Sequence, residues 1–286
     1  MGAGAHDEVD AAGAQVLMRR LLLPLVVLLA LVAAACGGSE PTAEQVSPDA
    51  VVLAASKTNE AGSYKADVSG TMDVAGQSID MSGTGAFDAA KQRGEMSYSM
   101  NLNGVDVDMD MVFAYPLIYM ELPPESGQLP AGKKWIKMDL EKLGQEAGLN
   151  LDQMMGAGQT DPSQGLDFLR GVKEVHAVGE EEVRGVATTH YTGVVDLATL
   201  GTEQPEMKPA IDQLVQQSGL SRVPVEVWID EDGFVRRMKQ TLEGSGSGLP
   251  MNMTMTTDLY DFGTDVSVKE PPADEVVDFS ELTGQN

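Results

Sequence analysis

Strict alternation of apolar and polar residues around two short turns is the feature that most constrains this chain. In residues 96–111, apolar side chains occupy every second position on both sides of the dipeptide Asn103-Gly104. Asn-Gly between alternating segments predicts a two-residue hairpin turn, because both turn residues adopt positive φ angles that Asn and Gly tolerate. The turn sets these apolar pairs opposite one another: Leu102 with Val105, Met100 with Val107, Tyr98 with Met109, and Met96 with Met111.

The other face of this hairpin is wholly polar. The same register pairs Asn101 with Asp106, Ser99 with Asp108, and Ser97 with Asp110. Because successive side chains of a strand point to opposite faces of a sheet, one face can be buried while the other meets water. The pattern predicts an antiparallel sheet with one solvated face.

A second hairpin is predicted around Ala75-Gly76 by the same reasoning. Its apolar face pairs Met72 with Ile79 and Gly70 with Met81, and its polar face sets Asp73, Thr71 and Ser69 opposite Ser78, Asp80 and Ser82. The apolar face also contains Gly83 and Gly85. Glycines on an inward face leave room for something to approach the sheet closely, or mark bends and bulges.

The remaining periodic segments predict more strands than helices. Strands are expected at Leu117–Leu122, Lys133–Met138, Val172–Val178, Val186–Val195, Val225–Ile229, Phe234–Leu242 and Met251–Leu259. Helices are expected at Val46–Ala61, Leu140–Met155, Pro162–Arg170 and Pro205–Ser218. We therefore expect an α+β fold in which helices, or the curling of the sheet, cover its apolar face.

The N-terminal segment has the pattern of an export signal. Leu21–Ala35 is an uninterrupted run of 15 mostly aliphatic residues directly after Arg19-Arg20. A membrane-spanning helix takes about 20 residues, whereas a basic start, a short apolar run and a small-residue exit describe a signal peptide, here residues 1–35. Acidic residues among positions 1–17 are unusual in such a segment, so we hypothesise that translation begins at Met18.

The end of the apolar run resembles a bacterial lipobox. Cys36, the only cysteine of the chain, follows Ala33-Ala34-Ala35, where Ala33 replaces the usual Leu. We expect Cys36 to carry diacylglycerol, which anchors the exported chain to the membrane by two acyl chains. Two other interpretations are an ordinary signal-peptidase site at Ala33–Ala35 and a buried structural cysteine. With Cys36 lipidated, residues 36–49 are expected to form a flexible tether, and residues 50–283 a single domain.

The charge of the chain excludes one class of partner. It has 44 Asp and Glu residues against 19 Lys and Arg residues, a formal net charge of -25. The field around such a protein repels phosphate before a contact can form. We expect no nucleic-acid partner and no general affinity for anionic membrane surfaces.

Motifs of catalysis and metal binding are missing from the sequence. His176 and His190 lie in predicted strands, where a histidine is usually a structural residue. The run Asp106-x-Asp108-x-Asp110 lacks the Gly and Glu that a calcium loop requires at its sixth and twelfth positions. There is no nucleophile elbow, phosphate-binding loop or zinc-protease motif. We predict a protein that is not an enzyme and has no cofactor or metal.

Methionine is unusually frequent, with 17 residues against 6 Phe and 6 Tyr. Three interpretations stay open: an ordinary core, a Cu(I) site, because thioethers select that ion, or a deformable cavity lining, because unbranched polarisable side chains adapt to irregular apolar ligands. The candidate cavity residues are Met72, Met81, Met96, Tyr98, Met100, Val107, Met109, Met111, Met251, Met253 and Met255.

Several segments together resemble the actinobacterial LppX/LprA/LprF/LprG lipoproteins. Besides the lipobox, they are residues 50–58 (AVVLAASKT), 183–191 (VRGVATTHY), 224–237 (PVEVWIDEDGFVRR) and 271–279 (PPADEVVDF). The resemblance covers about residues 46–279. It implies a fold similar to the periplasmic carrier LolA: a half-open antiparallel β-barrel whose helices cover a concave apolar face with a cavity for acyl chains.

The resemblance also implies a function. A lipoprotein of this kind, anchored to the outer face of the cytoplasmic membrane, binds an acyl lipid or lipoglycan and carries it across the cell envelope. We expect a monomer that works with an envelope export partner. The alternative is an envelope sensor or regulatory interaction module, because the LolA-like fold also occurs in regulators that bind a membrane partner.

Overall fold

One sheet of thirteen strands holds most of the residues that the computed structural model describes. These are residues 44–74, 76–102, 104–123, 129–147, 164–205, 208–246 and 249–283. The chain divides into two units, residues 1–42 and 43–286, and every described residue belongs to the second. The predicted export signal and Cys36 lie outside the described residues.

Runs of consecutive strands are separated by helices along the chain. The strands are β1 Glu44–Gln45, β2 Ser63–Val74, β3 Gln77–Asp88, β4 Arg93–Leu102, β5 Val105–Ala114, β6 Leu117–Glu121, β7 Trp135–Asp139, β8 Val172–Val183, β9 Val186–Asp196, β10 Arg222–Asp230, β11 Val235–Gly246, β12 Leu249–Tyr260 and β13 Val276–Asp278. The α-helices are α1 Asp49–Asn59, α2 Leu140–Ala147, α3 Leu197–Glu203, α4 Lys208–Ser218 and α5 Phe279–Thr283, and two 3₁₀ helices span Gln164–Gly171 and Ala273–Glu275.

The sheet is open and almost entirely antiparallel. Its strand order is β1-β8-β9-β10-β11-β12-β2-β3-β4-β5-β6-β7-β13, and only the pairing of β13 with β7 is parallel. The two edges are formed by the short strands β1 and β13. Pairing between β12 and β2 joins the C-terminal half of the sheet to the N-terminal half. The predicted α+β class and half-open antiparallel sheet are confirmed.

Both predicted hairpins have the expected register. In β4 and β5, Met100 pairs with Val107 and Ser99 with Asp108. In β2 and β3, Met72 pairs with Ile79, and the register continues without a shift along both strands. The side chains that share each face are therefore those that the alternation predicted.

The folded unit begins earlier than the sequence predicted. Glu44 and Gln45, assigned to the tether 36–49, pair with Ala177 and His176 of β8. The helix predicted at Val46–Ala61 begins at Asp49 and ends at Asn59, because Ser47 and Pro48 form the turn that precedes it. Residues 44–49 thus belong to the domain predicted at 50–283 instead of the tether.

Helices cover one part of the apolar face. Helix α1 packs against β10 and β11, the first 3₁₀ helix and α3 pack against β9, and α4 packs against β11. The largest cluster of buried side chains joins these helices to the sheet; its helical members include Val51, Ala54, Ala55, Leu166, Leu169, Leu197, Leu200 and Ile211. Within the described residues, no helix has the length and apolar content needed to span a membrane.

The C-terminal segment crosses the opposite face of the sheet. Val268 and Val276 pack against a second, smaller buried cluster formed by Val112, Ala114 and Tyr119. Beyond them, β13 extends the edge of the sheet beside β7. Neither this segment nor β1 was predictable from the sequence, because strands of two or three residues carry too little alternation to be recognised.

Candidate functional site: the inner face of the sheet

The inner face is the side of the sheet that meets the helices. Its positions are the even-numbered residues of β2 and β4 and the odd-numbered residues of β3, β5 and β12, as the strand register requires. Three successive transverse rows of this face illustrate its composition. They are Leu259-Ala66-Gly85-Met96-Met111, Thr257-Val68-Gly83-Tyr98-Met109 and Met255-Gly70-Met81-Met100-Val107.

Burial decreases along this face from one end of the strands to the other. Tyr64 and Met96 are each 1% exposed. Further along the same strands, Tyr98, Met100 and Met81 are only partly buried. Val105, at the start of β5, is 62% exposed. One end of the inner face is thus a closed core, whereas the other end is a partly exposed apolar surface.

The inner face carries no acidic or basic side chain in the described residues of β2–β5 and β12. The ionisable group at its centre is the phenol of Tyr98, whose pKa burial raises above the ordinary value. An apolar surface of this kind has no fixed charge with which to bind a polar ligand. It can instead remove apolar groups from water, at about 0.8 kcal/mol for each buried methylene.

The structure places the predicted cavity residues on this one face. Met96 belongs to the closed core, while Tyr98, Met111 and Met255 are partly buried and pack against its edge. The remaining predicted residues with described side chains, Met72, Met81, Met100, Val107, Met109 and Met253, are also partly buried. The side chain of Met251 lies outside the described residues. Cavity lining by these residues remains a prediction.

Two inward glycines, Gly83 and Gly94, are covered by aromatic rings of the sheet itself. A Cβ atom on Gly83 would lie 2.8 Å from the ring of Tyr98 and 3.0 Å from the carbonyl oxygen of Ser97. A Cβ on Gly94 would collide with the ring of Phe87. The sequence left two roles open for such glycines: close approach of another group, or a bend or bulge. Gly83 has the first role, and the group that approaches it is the ring of Tyr98.

Sequence reasoning missed part of the inner face. Val68 of β2 and Leu242 of β11 belong to the same apolar surface, and Leu242 packs against the buried cluster. Alternation in β11 and β12 is interrupted at Gln240 and Thr257, which weakens the signal. Met238 and Leu242 are the apolar residues on either side of Gln240 in the alternation of β11, and together they could have identified this strand as part of the face.

The histidines belong to structural contacts outside the inner face. The ring of His190 stacks on Trp228 with a centroid distance of 4.2 Å, and its Nδ1 atom lies 3.1 Å from Oε1 of Glu181. His176 pairs with Gln45 of β1 and Thr192 of β9. Within the described part of the chain, no group of three or more His, Cys, Asp or Glu residues is placed to hold a metal ion.

Curated proteins similar to this chain come from Streptomyces. An uncharacterized 31.2 kDa protein of Streptomyces griseus is 28% identical over 238 residues, which is 78% of this chain and 77% of that protein. A putative lipoprotein of Streptomyces coelicolor is 31% identical over 169 residues, which is 57% of this chain and 49% of that protein. No protein-family model matches the chain.

Solved structures similar to this one include two mycobacterial proteins. Lipoprotein LppX of Mycobacterium tuberculosis is 17% identical, with a TM-score of 0.43, over 78% of this chain and 100% of that one. LprF of Mycobacterium bovis is 16% identical, with a TM-score of 0.44, over 80% of this chain and 100% of that one. The chain is thus similar to LppX and LprF, the resemblance that its sequence motifs indicated.

Proposed function

We propose that this protein is an exported, membrane-anchored lipoprotein that binds an acyl lipid or lipoglycan on its inner face and carries it across the cell envelope. The observation that supports binding is the partly exposed, uncharged end of the inner face. Met81 and Met100 lie there beside one another on β3 and β4, and Met255 of β12 lies in the same row beyond Gly70 of β2. Flexible thioether side chains adapt to acyl chains of different shape.

Anchoring rests on the lipobox and on the relative from Streptomyces coelicolor, which is named a putative lipoprotein. Cys36 lies at the end of the apolar run and receives the diacylglycerol. Two acyl chains hold a protein on a membrane stably, whereas one gives only reversible binding. The anchor keeps the inner face within reach of the bilayer from which a lipid is taken.

The charge of the protein limits how the cargo is recognised. With a net charge of -25, the exterior repels anionic headgroups. Binding therefore depends on the acyl chains, and the headgroup stays near solvent. Water-soluble headgroup analogues without acyl chains are expected to leave a bound lipid in place, and displacement by them at equal concentration would contradict recognition by the tails.

The first experiment is lipid extraction and native mass spectrometry of the full chain, produced with its own leader in an actinobacterial host. We expect about one acyl lipid per protein. Met81→Asp places a carboxylate on the inner face, where an unpaired charge is costly, and should lower lipid occupancy at least about fivefold.

Ser82→Asp is the matched control. Ser82 is the next residue of β3, points to the other face and lies opposite Ser69 and Ser99. The Ser82→Asp substitution adds the same charge away from the inner face and should leave the lipid bound. An empty wild-type protein, or equal losses in both variants, would refute the proposed carrier, and an empty protein that crosslinks to one membrane protein would favour a sensor.

A further inference from the structure

One row of outward-facing residues crosses the sheet on the face opposite the apolar one. The register aligns these positions from β9 to β5, and β6 and β7 continue the row with the pair Glu121 and Trp135. In strand order, the earlier members are His190, Trp228, Arg237, Asp258, Asp67, Thr84, Ser97 and Asp110.

The first arginine of this row is held between a carboxylate and an aromatic ring. Arg237 donates two hydrogen bonds to Asp258, of 2.6 and 2.7 Å, and its guanidinium lies 5.7 Å from the ring centroid of Trp228. The planar guanidinium suits both contacts, because it forms a fork of parallel N–H groups and also stacks on aromatic faces.

A second arginine repeats this arrangement from a distant part of the chain. Arg184 and Gly185 form the turn between β8 and β9, with φ angles of 53° and 78°. From this turn, Arg184 reaches across to β12 and β2, where it donates to Asp67 at 2.6 Å and lies 3.8 Å from the ring centroid of Tyr260. The outer face thus uses one recognition unit twice: carboxylate, guanidinium and aromatic ring.

Further along the row, a groove of about 460 Å³ offers a carboxylate and an aromatic ring without an arginine between them. Its walls include Asp110 and Trp135, and Trp135 also packs against the cluster of Val112, Ala114 and Tyr119. The groove is lined by Lys65, Thr84, Gly85, Ala86, Glu95, Met96, Ser97, Asp110, Met111, Val112 and Trp135.

The lysines near this groove are paired with other carboxylates. Nζ of Lys65 lies 2.8 Å from Asp261, and Nζ of Lys134 lies 2.7 Å from Glu275. Among the described residues, no salt bridge reaches Asp110. Burial and then the charge of Asp110 raise the pKa of Glu121, against the opposing effect of Lys134. Glu121 pairs with Trp135 across β6 and β7, and its side chain shares a hydrogen bond with Asp110. The two carboxyl groups therefore lie together at the margin of the groove, where their unshared oxygens can accept hydrogen bonds from a cation and repel anions.

We propose that this outer groove binds a guanidinium group supplied by a ligand, with the guanidinium plane on Trp135 and its N–H groups donating to Asp110 and Glu121. The ligand completes the unit that Arg237 and Arg184 complete elsewhere on the same face. A guanidinium fits better than an ammonium, because only the planar group satisfies a carboxyl pair and a ring together. The group comes from a small arginine-like molecule or from an arginine of a partner polypeptide.

Calorimetric titration of the full-length protein with two probes tests this binding. The probes are arginine amide and an acetylated, amidated tetrapeptide with a single arginine. Asp110→Asn should weaken binding about tenfold, because a charge-assisted bond becomes a neutral one. Trp135→Ala should weaken it about threefold, as expected for an exposed cation–π contact. Glu121→Gln provides a second test should Asp110→Asn fold poorly.

Asp108→Asn is the matched control, because Asp108 is exposed on the same face of β5 and does not line the groove. It removes the same charge and should leave the affinity unchanged. Equal affinity for both probes supports a small ligand, and tighter binding of the peptide supports a partner protein. Absence of binding, equal losses in the Asp110 and Asp108 variants, or equal affinity for lysine amide would overturn the proposal.

Discussion

Glycines and the side chains that cover them shape the inner face at the scale of single residues. Gly83→Ala would press a methyl group into the ring of Tyr98 and the backbone of Ser97, both at 3.0 Å or less. Overpacking of this kind costs about 1–3 kcal/mol. We expect the variant to lose that amount of unfolding free energy, measured by urea denaturation.

Gly201→Ala is the control for this loss. Gly201 lies in helix α3, where a Cβ atom would meet only ordinary contacts at 3.6–3.7 Å. Because alanine favours the helix more than glycine does, this substitution should stabilise the protein by about 0.5–1 kcal/mol. A Gly83→Ala protein as stable as the wild type would show that the ring of Tyr98 can move away without cost.

Tyr119 provides a prediction about alkaline pH. Burial, and then its hydrogen bond to Glu270, raise the pKa of Tyr119 to about 12. The folded protein holds this proton more tightly than the unfolded chain, whose tyrosine pKa is about 10. The resulting stabilisation is complete below pH 10 and is lost as the pH rises toward 12.

Ultraviolet titration of tyrosinate measures this group directly. Tyr119→Phe should remove one phenol that ionises near pH 12. Glu270→Gln should lower the pKa of Tyr119 but keep it above the ordinary value, because the contribution of burial remains. An unchanged late ionisation in the Glu270 variant would show that Glu270 does not act on this phenol.

Hairpins were the elements that sequence could predict in detail. A turn such as Asn103-Gly104 fixes the register of two strands at once, so each alternate residue could be assigned to a face before the structure was known. Short elements were not predictable in this way. Strands β1 and β13 form by pairing with β8 and β7, and their own residues carry no periodic signal.

The C-terminal segment covers an edge and an apolar cluster, so its removal should have a specific effect. A chain ending at Gly263 loses β13 and the contacts of Val268 and Val276 with the cluster around Tyr119. Strand β7 then becomes an exposed edge, which is a site for pairing between chains. We expect dimers or aggregates in size-exclusion chromatography.

A chain ending at Thr283 is the control, because it retains β13 and all of these contacts. It should elute as the full chain does. A monomeric chain ending at Gly263 would show that β7 is protected by other means.

Contacts between distant parts of the chain could not be predicted from the sequence. The inner face could be predicted hairpin by hairpin, whereas its gradient of burial depends on where the helices stop covering the sheet. The row of outward residues depends on pairing between β12 and β2, strands separated by most of the chain. Arg184 and Asp67 are 117 residues apart, and no local pattern relates them.

The position of Arg184 has a mechanical consequence. The ion pair between Arg184 and Asp67 links the turn between β8 and β9 to β2. In the half of the sheet formed by β8–β12, Arg237 with Asp258 and Lys239 with Glu226 also join adjacent strands. Among the described residues, no ion pair joins β3, β4 and β5 to one another. Ion pairs between side chains therefore link the strands on one side of the sheet, whereas β3, β4 and β5 are joined by their continuous backbone pairing. For the lipid proposed to bind on the inner face, we expect the methionine-bearing hairpins to move to fit it, while the half with the ion pairs keeps its curvature.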